Sequence, residues 1–434
     1  MRILLATIGS AGDTHPFIAI GEELLRRGHH VAMLANPHFA ARIRSAGIAF
    51  LPLGEEKDFL DVLHDPRLAR QGQSPFLVIQ ALFNKSVEPS FQAMEEAILQ
   101  FKPDVIVRHH IFFSARWAAE RHRIPVVTCT LTPSMWLNPD EGMIMRGWMP
   151  PRAQLALSGL LRFAGKIGLR LLIDRPVNAA RKRLGLPAMR DVFYTETGAG
   201  NAVLGLWSPQ FRKPMPGDPP KSIVCGFCFF DRAGAERDRA LDPGLEEFLS
   251  RCESSGTLPV VFSLGTTIVH HANDFFAAAV HACRKAALPS VLLVGRGESA
   301  PPGLLGPDVC AVEYAPHSLV FPRCSASVHH AGAGSSAQAM RSGKPSIAAP
   351  FVNDEFDIAY RMSRLGVAYY LPATRINTSR RGIGHLAEAL RQVTGGVGFR
   401  ERASTMGALI RAEHGPARAA EEVERVGLTP DPRG

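Results

Sequence analysis

No uninterrupted apolar run in the 434-residue chain approaches the roughly 20 residues that a membrane span needs. The apolar start, Met1-Arg-Ile-Leu-Leu-Ala, is too short for a signal peptide and has no small-residue cleavage site ahead of the glycines that follow. The chain therefore reads as cytoplasmic. Its cysteines are seven and scattered: Cys129, Cys225, Cys228, Cys252, Cys283, Cys310 and Cys324. The odd count argues for reduced thiols rather than a disulfide framework. Cys225-Gly-Phe-Cys228 has the CxxC spacing, but a second CxxC is lacking, so packing explains it better than zinc.

Dinucleotide chemistry is also short of its parts. "TIGSAGDTHP" (Thr7–Pro16) follows the first apolar run, yet it carries only Gly9 and Gly12 of a G-x-G-x-x-G fingerprint. The second apolar run ends at Asn36, where a ribose-binding acid belongs. A P-loop is excluded because no G-K-[ST] follows the glycines. The net charge of +9 suits anionic small molecules or a phospholipid surface. It does not point to nucleic acid, because zinc-finger spacing, an aromatic RNA motif and a basic helix–turn–helix pattern are all absent.

What is present is a chain of 46% hydrophobic and 21% charged residues, long enough for two or three domains. Short apolar runs alternate with amphipathic stretches: strand Arg2–Ile8, helix Pro16–Arg27, strand His30–Ala35, helix Pro37–Ala46, strand Ala49–Pro52. The pattern continues through Asp104–Val107, Ala115–Arg121 and Val126–Cys129. Such alternation predicts an α/β fold with parallel sheets covered on both faces. "WSPQFRKPMPGDPPKS" then packs five prolines into sixteen residues and reads as a boundary. After it the alternation restarts with "LPVVFSLG", a helix at Asp274–Ala287, "SVLLVG", "VCAVEY", "SASVHH" and "PSIAAP". The expected organisation is two Rossmann-like doubly wound domains facing across a cleft. They span residues 1–215 and 239–410, with a linker at 216–238 and a C-terminal helix and tail at 411–434. Pro151–Leu186 stands apart, with leucines at helical spacing, many Arg and Lys and one acid. It is either a packed helical excursion with a solvated basic face or an interfacial helix that meets lipid head groups or an amphiphilic substrate.

Two loops carry chemistry. Asp13 sits where the first glycine turn meets a helix. It is either an N-cap or a general base at the carboxyl end of a parallel sheet, where ligands bind in open α/β folds. His15 is the fallback base, and Ser10, His109 and His110 are candidates for the acceptor side. "VHHAGAGSSAQA" (Val328–Ala339) follows a strand and opens a helix. Its glycines and helix N-terminus suit a pyrophosphate, with His330, Ser335 and Ser336 as side-chain donors. His329 and His330, adjacent on a strand end, point to opposite faces and do not chelate one metal easily. No metal or resident cofactor is expected.

Together these pieces resemble the GT-B nucleotide-sugar glycosyltransferases, the family that includes antibiotic, flavonoid and sterol glycosyltransferases. Gly9-Ser10-Ala11-Gly12-Asp13-Thr14-His15-Pro16 is similar to its N-terminal G-S-x-G-D-x-x-P signature. His329-His330-Ala331-Gly332-Ala333-Gly334-Ser335 is similar to its H-H-G-G-A-G-[ST] signature. "VVFSLGTT", "EYAPHSLVFPRCSASVHH" and "PFVNDEFD" resemble, in order, its first C-domain loop, its base-binding stretch and its sugar-binding segment. Within the family, "IGSAGD", "GIAFLPLG" and "DPRL" resemble rhamnosyltransferases and favour rhamnose as the sugar.

The resemblance implies a dTDP- or UDP-sugar donor, a hydrophobic hydroxyl acceptor and inverting transfer with Asp13 as base. It implies that Tyr314 stacks on the nucleobase, with Ala315 and His317 along its edge. Gly265, Thr266 and Thr267 would lie near the diphosphate, which His330, Gly332, Gly334 and Ser335 would cradle. Asp354 and Glu355 would hold sugar hydroxyls. Three positions depart from the pattern. Glu355 replaces a Gln and exchanges a donor-acceptor for an acceptor. Gln338 replaces a ribose-binding Glu. Ala331 replaces a glycine. Alternatives are a UDP-glucose-type phenolic or flavonoid glucosyltransferase, a nucleotide-sugar 2-epimerase, which lacks both signatures, and a non-catalytic nucleotide-sugar-binding module.

Overall fold

A computed structural model of the chain describes residues 1–63, 75–145, 149–231, 240–271, 274–300 and 303–429, without the side chains of residues 62–63, 75–86, 267 and 271. Runs such as Ile3-Leu-Leu-Ala6, Val105–His109 and Val126–Thr130 are buried along their whole length, as strands covered on both faces must be. They build a seven-stranded sheet from β1 (Arg2–Ala6), β2 (His30–Ala35), β3 (Ala49–Pro52), β4 (Val105–His109), β5 (Val126–Thr130), β6 (Ala202–Gly205) and β7 (Ser222–Val224). Its order is β3-β2-β1-β4-β5-β6-β7. A second sheet contains β8 (Val260–Ser263), β9 (Ser290–Leu293), β10 (Val309–Val312), β11 (Ala326–His329), β12 (Ser346–Ala348) and β13 (Ala368–Tyr370), in the order β10-β9-β8-β11-β12-β13. Every ladder between these strands is parallel.

In each sheet the strand order reverses once, between β1 and β4 and between β8 and β11. At such a point the connections leave to opposite sides and open a crevice at the carboxyl ends of the two central strands. Gly9–Asp13 follows β1, and His109–His110 closes β4. Gly265 follows β8, and His330 follows β11. The two crevices face one another. A Cβ built on Gly334 would lie 3.8 Å from the Gly12 Cα, so two glycine turns from different domains nearly touch.

Two expectations about the chain's organisation need correction. The proline-rich stretch does not end the first domain. Ser222–Val224 lies inside the expected linker and pairs with Val203–Gly205 as the edge strand β7. The prolines instead shape the turn into that strand, which Asn138 ties down through the Pro216 carbonyl (2.8 Å) and Asp218 (2.6 Å). Residues 232–238 of the linker lie outside the described residues. The first helix spans Ala11–Arg26, five residues ahead of the expected start. The expected start makes Pro16 a first-turn proline, yet it sits in the second turn, where it removes only the bond residue 16 would otherwise donate to the Gly12 carbonyl.

The last helix, Gly415–Leu428, returns to the first domain. Ala419, Ala420, Val423 and Val426 share a core with Ile3, Phe17 and Val105, and Glu424 bonds His29 (2.7 Å) and Arg27 (3.0 Å). The chain thus passes between domains twice, and the passages touch. A Cβ on Gly226 (φ +107°) would lie 3.3 Å from the Gly415 Cα, and one on Gly415 would strike the Phe227 carbonyl. A charged network also joins the domains. Glu141 accepts from Arg212 (2.8 Å) and from Arg361 (2.5 Å), and Arg361 also bonds Asp357 (2.6 Å).

Candidate active site

Asp13 is the fourth residue of its domain's first long helix-forming turn after Gly9, and the turn is built around its carboxylate. Oδ2 accepts the Ser10 N–H (2.6 Å) and the Ser10 hydroxyl (3.0 Å). Any Cβ on Gly9 (φ +112°) would strike that same oxygen. Gly9 therefore makes room for a carboxylate rather than for a phosphate. Oδ1 lies 3.4 Å from His109 Nε2. Burial pushes the Asp13 pKa up, but the neighbouring His109 imidazole, with the two Ser10 bonds, outweighs it and leaves the net shift downward. Asp13 is thus held as the anion. The N-cap is Ser10, and Asp13 is its capping partner.

Across the cleft, the His330 ring lies between two glycines. A Cβ on either Gly265 or Gly332 would strike it. Burial lowers its pKa to about 4, so at neutral pH the imidazole is a neutral hydrogen-bonding group. Ala331, in place of a glycine, adopts φ +66°, a left-handed conformation that costs an L-residue about 1–2 kcal/mol. The helix Ala333–Ser342 then starts at the cleft with Gly334 and Ser335 on its first turn. Its free N–H groups open toward the cleft, and such a helix end favours negative charge.

A cavity of about 740 Å³ occupies the cleft. Ser10, Asp13, His109 and His110 line it from the first domain. Gly265, Thr266, His330, Gly332, Gly334, Ser335, Asp354 and Glu355 line it from the second. An apolar lobe extends beneath the first domain, with Met135, Leu137, Met143, Leu161, Leu169 and Phe193 on its walls.

Residues 3–129 match the glycosyltransferase family 28 N-terminal domain, and residues 290–426 match the erythromycin biosynthesis protein CIII-like C-terminal domain. The chain is 29% identical to O-mycaminosyltylonolide 6-deoxyallosyltransferase of Streptomyces fradiae, over 98% of this chain and 97% of that one. The chain belongs to the GT-B glycosyltransferases. It is also 26% identical to sterol 3-beta-glucosyltransferase of Pichia angusta over 97% of its own length, though it spans only 33% of that longer enzyme. The glycotransferase of kitacinnamycin has the same fold, with a TM-score of 0.74 at 21% identity and 99% of both chains covered.

Not every expected residue of this glycosyltransferase reaches the cavity. His15 faces away from it. Its Nε2 meets Arg42 (3.3 Å), its ring meets Phe230 (5.5 Å), and burial followed by the Arg42 charge lowers its pKa to about 4. As a fallback base it is misplaced, because residues two apart on a helix point about 200° apart. Gln338 bonds Asp231 (3.1 Å) rather than lining the cleft. Ala315 is buried in the core. His317 bonds Ser263 (2.9 Å) and stacks on Phe321. Tyr314 is 43% exposed beside Arg296. The Thr267 side chain lies outside the described residues. His109 faces the Asp13 carboxylate as well as lining the cleft, and its ring packs 4.3 Å from that of His110.

The acidic pair differs from its sequence reading. Burial raises Asp354 to about 6, with Asp13 adding to the rise and Thr132 opposing it. Burial raises Glu355 to about 8, although its Oε2 accepts from the Phe351 (2.7 Å) and Val352 (2.9 Å) N–H groups. At neutral pH Glu355 therefore keeps its proton and offers one donor as well as acceptors, as a Gln would. The exchange is milder than the sequence implies. Thr132 and Met143 had no sequence signal, and Asn353 (φ +51°) was marked only as part of the sugar-binding segment. They reach the site from loops whose course depends on the docking of the two domains.

Proposed function

We propose that this glycosyltransferase moves a hexose, rhamnose or a related 6-deoxyhexose, from a dTDP- or UDP-sugar to a hydroxyl of a hydrophobic small molecule or lipid, with inversion. Asp13 takes the proton from the acceptor hydroxyl. The acceptor oxygen forms its bond to the anomeric carbon as the bond from that carbon to the diphosphate oxygen breaks. The leaving diphosphate takes up hydrogen bonds from the helix at Gly334 and from Ser335 and His330, fixed donors of the kind that stabilise developing charge. The observation that carries the reading is the position of Asp13 in one cavity with the glycine cradle and the apolar lobe.

The sheet order supports the donor's orientation. The strand ends bearing Tyr314, Gly265, His330 and Asp354 follow β10, β8, β11 and β12, which lie in that order across the sheet. Base, diphosphate and sugar would lie along that line. The 6-deoxyallosyl named in the Streptomyces fradiae relative supports a 6-deoxyhexose. The glucosyl named in the sterol enzyme favours the second reading, transfer from UDP-glucose.

A thermal-shift screen of UDP, dTDP and their sugars tests donor binding, because a bound donor raises the melting temperature by mass action. dTDP-rhamnose should give the largest rise. No rise with any nucleotide at millimolar concentration overturns the donor claim. Asp13→Asn should lower turnover by about 10²–10⁴-fold while donor affinity stays within a few-fold. Near-normal turnover removes Asp13 as the base.

A further inference from the structure

The helix Ser158–Leu169 continues through a wide turn at Arg170–Asp174 into Arg175–Arg183. Leu160, Phe163, Ile167 and Leu171 fall at spacings of three, four and four, the period of one helix face. They are 65%, 66%, 41% and 73% exposed. The opposite face, with Ser158, Leu161, Gly165 and Leu169, lines the cavity. Large apolar side chains exposed singly are ordinary, but a contiguous stripe marks an interaction surface. Arg152, Lys166, Arg175, Lys182, Arg183 and Arg190 are exposed around this element. Lys166 pairs with Asp191 (3.4 Å) and Arg183 with Glu88, so the rim keeps a cationic excess through Arg152, Arg175, Lys182 and Arg190, with Asp174 the one acid between residues 151 and 190. No helix among the described residues is long and apolar enough to cross a membrane.

We propose that this helix lies in the surface of an anionic membrane, with Leu160, Phe163, Ile167 and Leu171 among the acyl chains and the surrounding Arg and Lys at the head groups. Charge complementarity selects lipid over a second copy of the chain, whose identical basic rim would repel this one. An in-plane helix needs an apolar stripe flanked by cations, and that arrangement is present. The element also forms a wall between the lipid surface and the apolar lobe. If the proposed acceptor class is right, the acceptor has a short apolar route from the bilayer. Membrane docking itself does not depend on that reading.

Sedimentation of the full chain with vesicles tests the proposal. Vesicles of phosphatidylglycerol and phosphatidylcholine in equal parts should carry the protein down, with binding weakened by added salt. Pure phosphatidylcholine should bind at least tenfold less. The triple variant Leu160→Ser/Phe163→Ser/Leu171→Ser should lose at least tenfold in affinity for the anionic vesicles at an unchanged melting temperature. Leu409→Ser, an exposed leucine in the other domain, should bind as the parent does. A parent chain that stays in the supernatant with both vesicle types overturns the proposal, and so does a triple variant that binds equally well. A dimer in sedimentation velocity that the triple substitution converts to monomer also overturns it, because a second copy then covers the face.

Discussion

The carboxylate of Asp13 has its two oxygens assigned to different partners, and that division sets its pH behaviour. Ser10 occupies Oδ2, and His109 faces Oδ1. Burial alone would raise the pKa; His109 supplies the largest opposing effects. His109→Asn removes those effects while leaving the Ser10 bonds, so the Asp13 pKa rises. Because the ionised form is the proposed base, the acid limb of kcat/KM should move to higher pH, and an unmoved limb would separate the two side chains. Ala331 gives a second residue-scale case. Relief of its left-handed φ is worth about 1–2 kcal/mol, against an entropic cost of about 0.5–1 kcal/mol for glycine. Ala331 is also fully buried in the core, and losing its methyl costs about 0.8 kcal/mol. Ala331→Gly should therefore leave the urea midpoint within about 1 kcal/mol of the parent at constant m, whereas Ala331→Val should lower it. The sequence identified Ala331 as a departure but could not price it, because the cost lies in a dihedral angle. It marked His109 as a cleft residue but could not pair it with Asp13, because β1 and β4 become neighbours only through the sheet order.

Elements were legible where one local rule decides them. Strands buried on both faces are near-continuous apolar runs, so β1, β2, β5, β8 and β11 could be read directly from composition. The second glycine turn announced its helix start. β7 was missed because three residues beside five prolines carry no pattern of their own and become a strand only by pairing with β6. The link between Glu141 and Arg361 was equally hidden, since 220 residues separate the partners. Arg361 serves two carboxylates, of which Asp357 is fully buried and has its pKa raised by that burial. Arg361→Met should cost about 3–5 kcal/mol by stranding that charge. The loss should shrink as the pH falls and Asp357 takes up a proton. Chemical denaturation at pH 5 and pH 8 measures both values, and an equal loss at the two would contradict the assignment.

At the scale of the molecule, the raised carboxyls tilt the stability curve. Asp354 and Glu355 keep their protons in the fold up to about pH 6 and about pH 8, whereas in the unfolded chain both ionise near pH 4. Between those limits the folded state binds more protons, so stability falls as the pH rises. The melting temperature should drop from pH 6 to pH 8.5, and Glu355→Gln should flatten the drop. A variant with the parent's slope would show that Glu355 is already ionised. The two chain passages between the domains have a consequence for motion at this same scale. Two rigid bodies joined by one tether can swing and twist about it freely. Here the passages press together at Gly226, Phe227 and Gly415, where an added methyl would have no room. Such a contact favours rotation about a single pivot over twisting, so a cleft that opened as a jaw does would return Asp13 to the same place opposite the glycine turn at Gly332–Ser335.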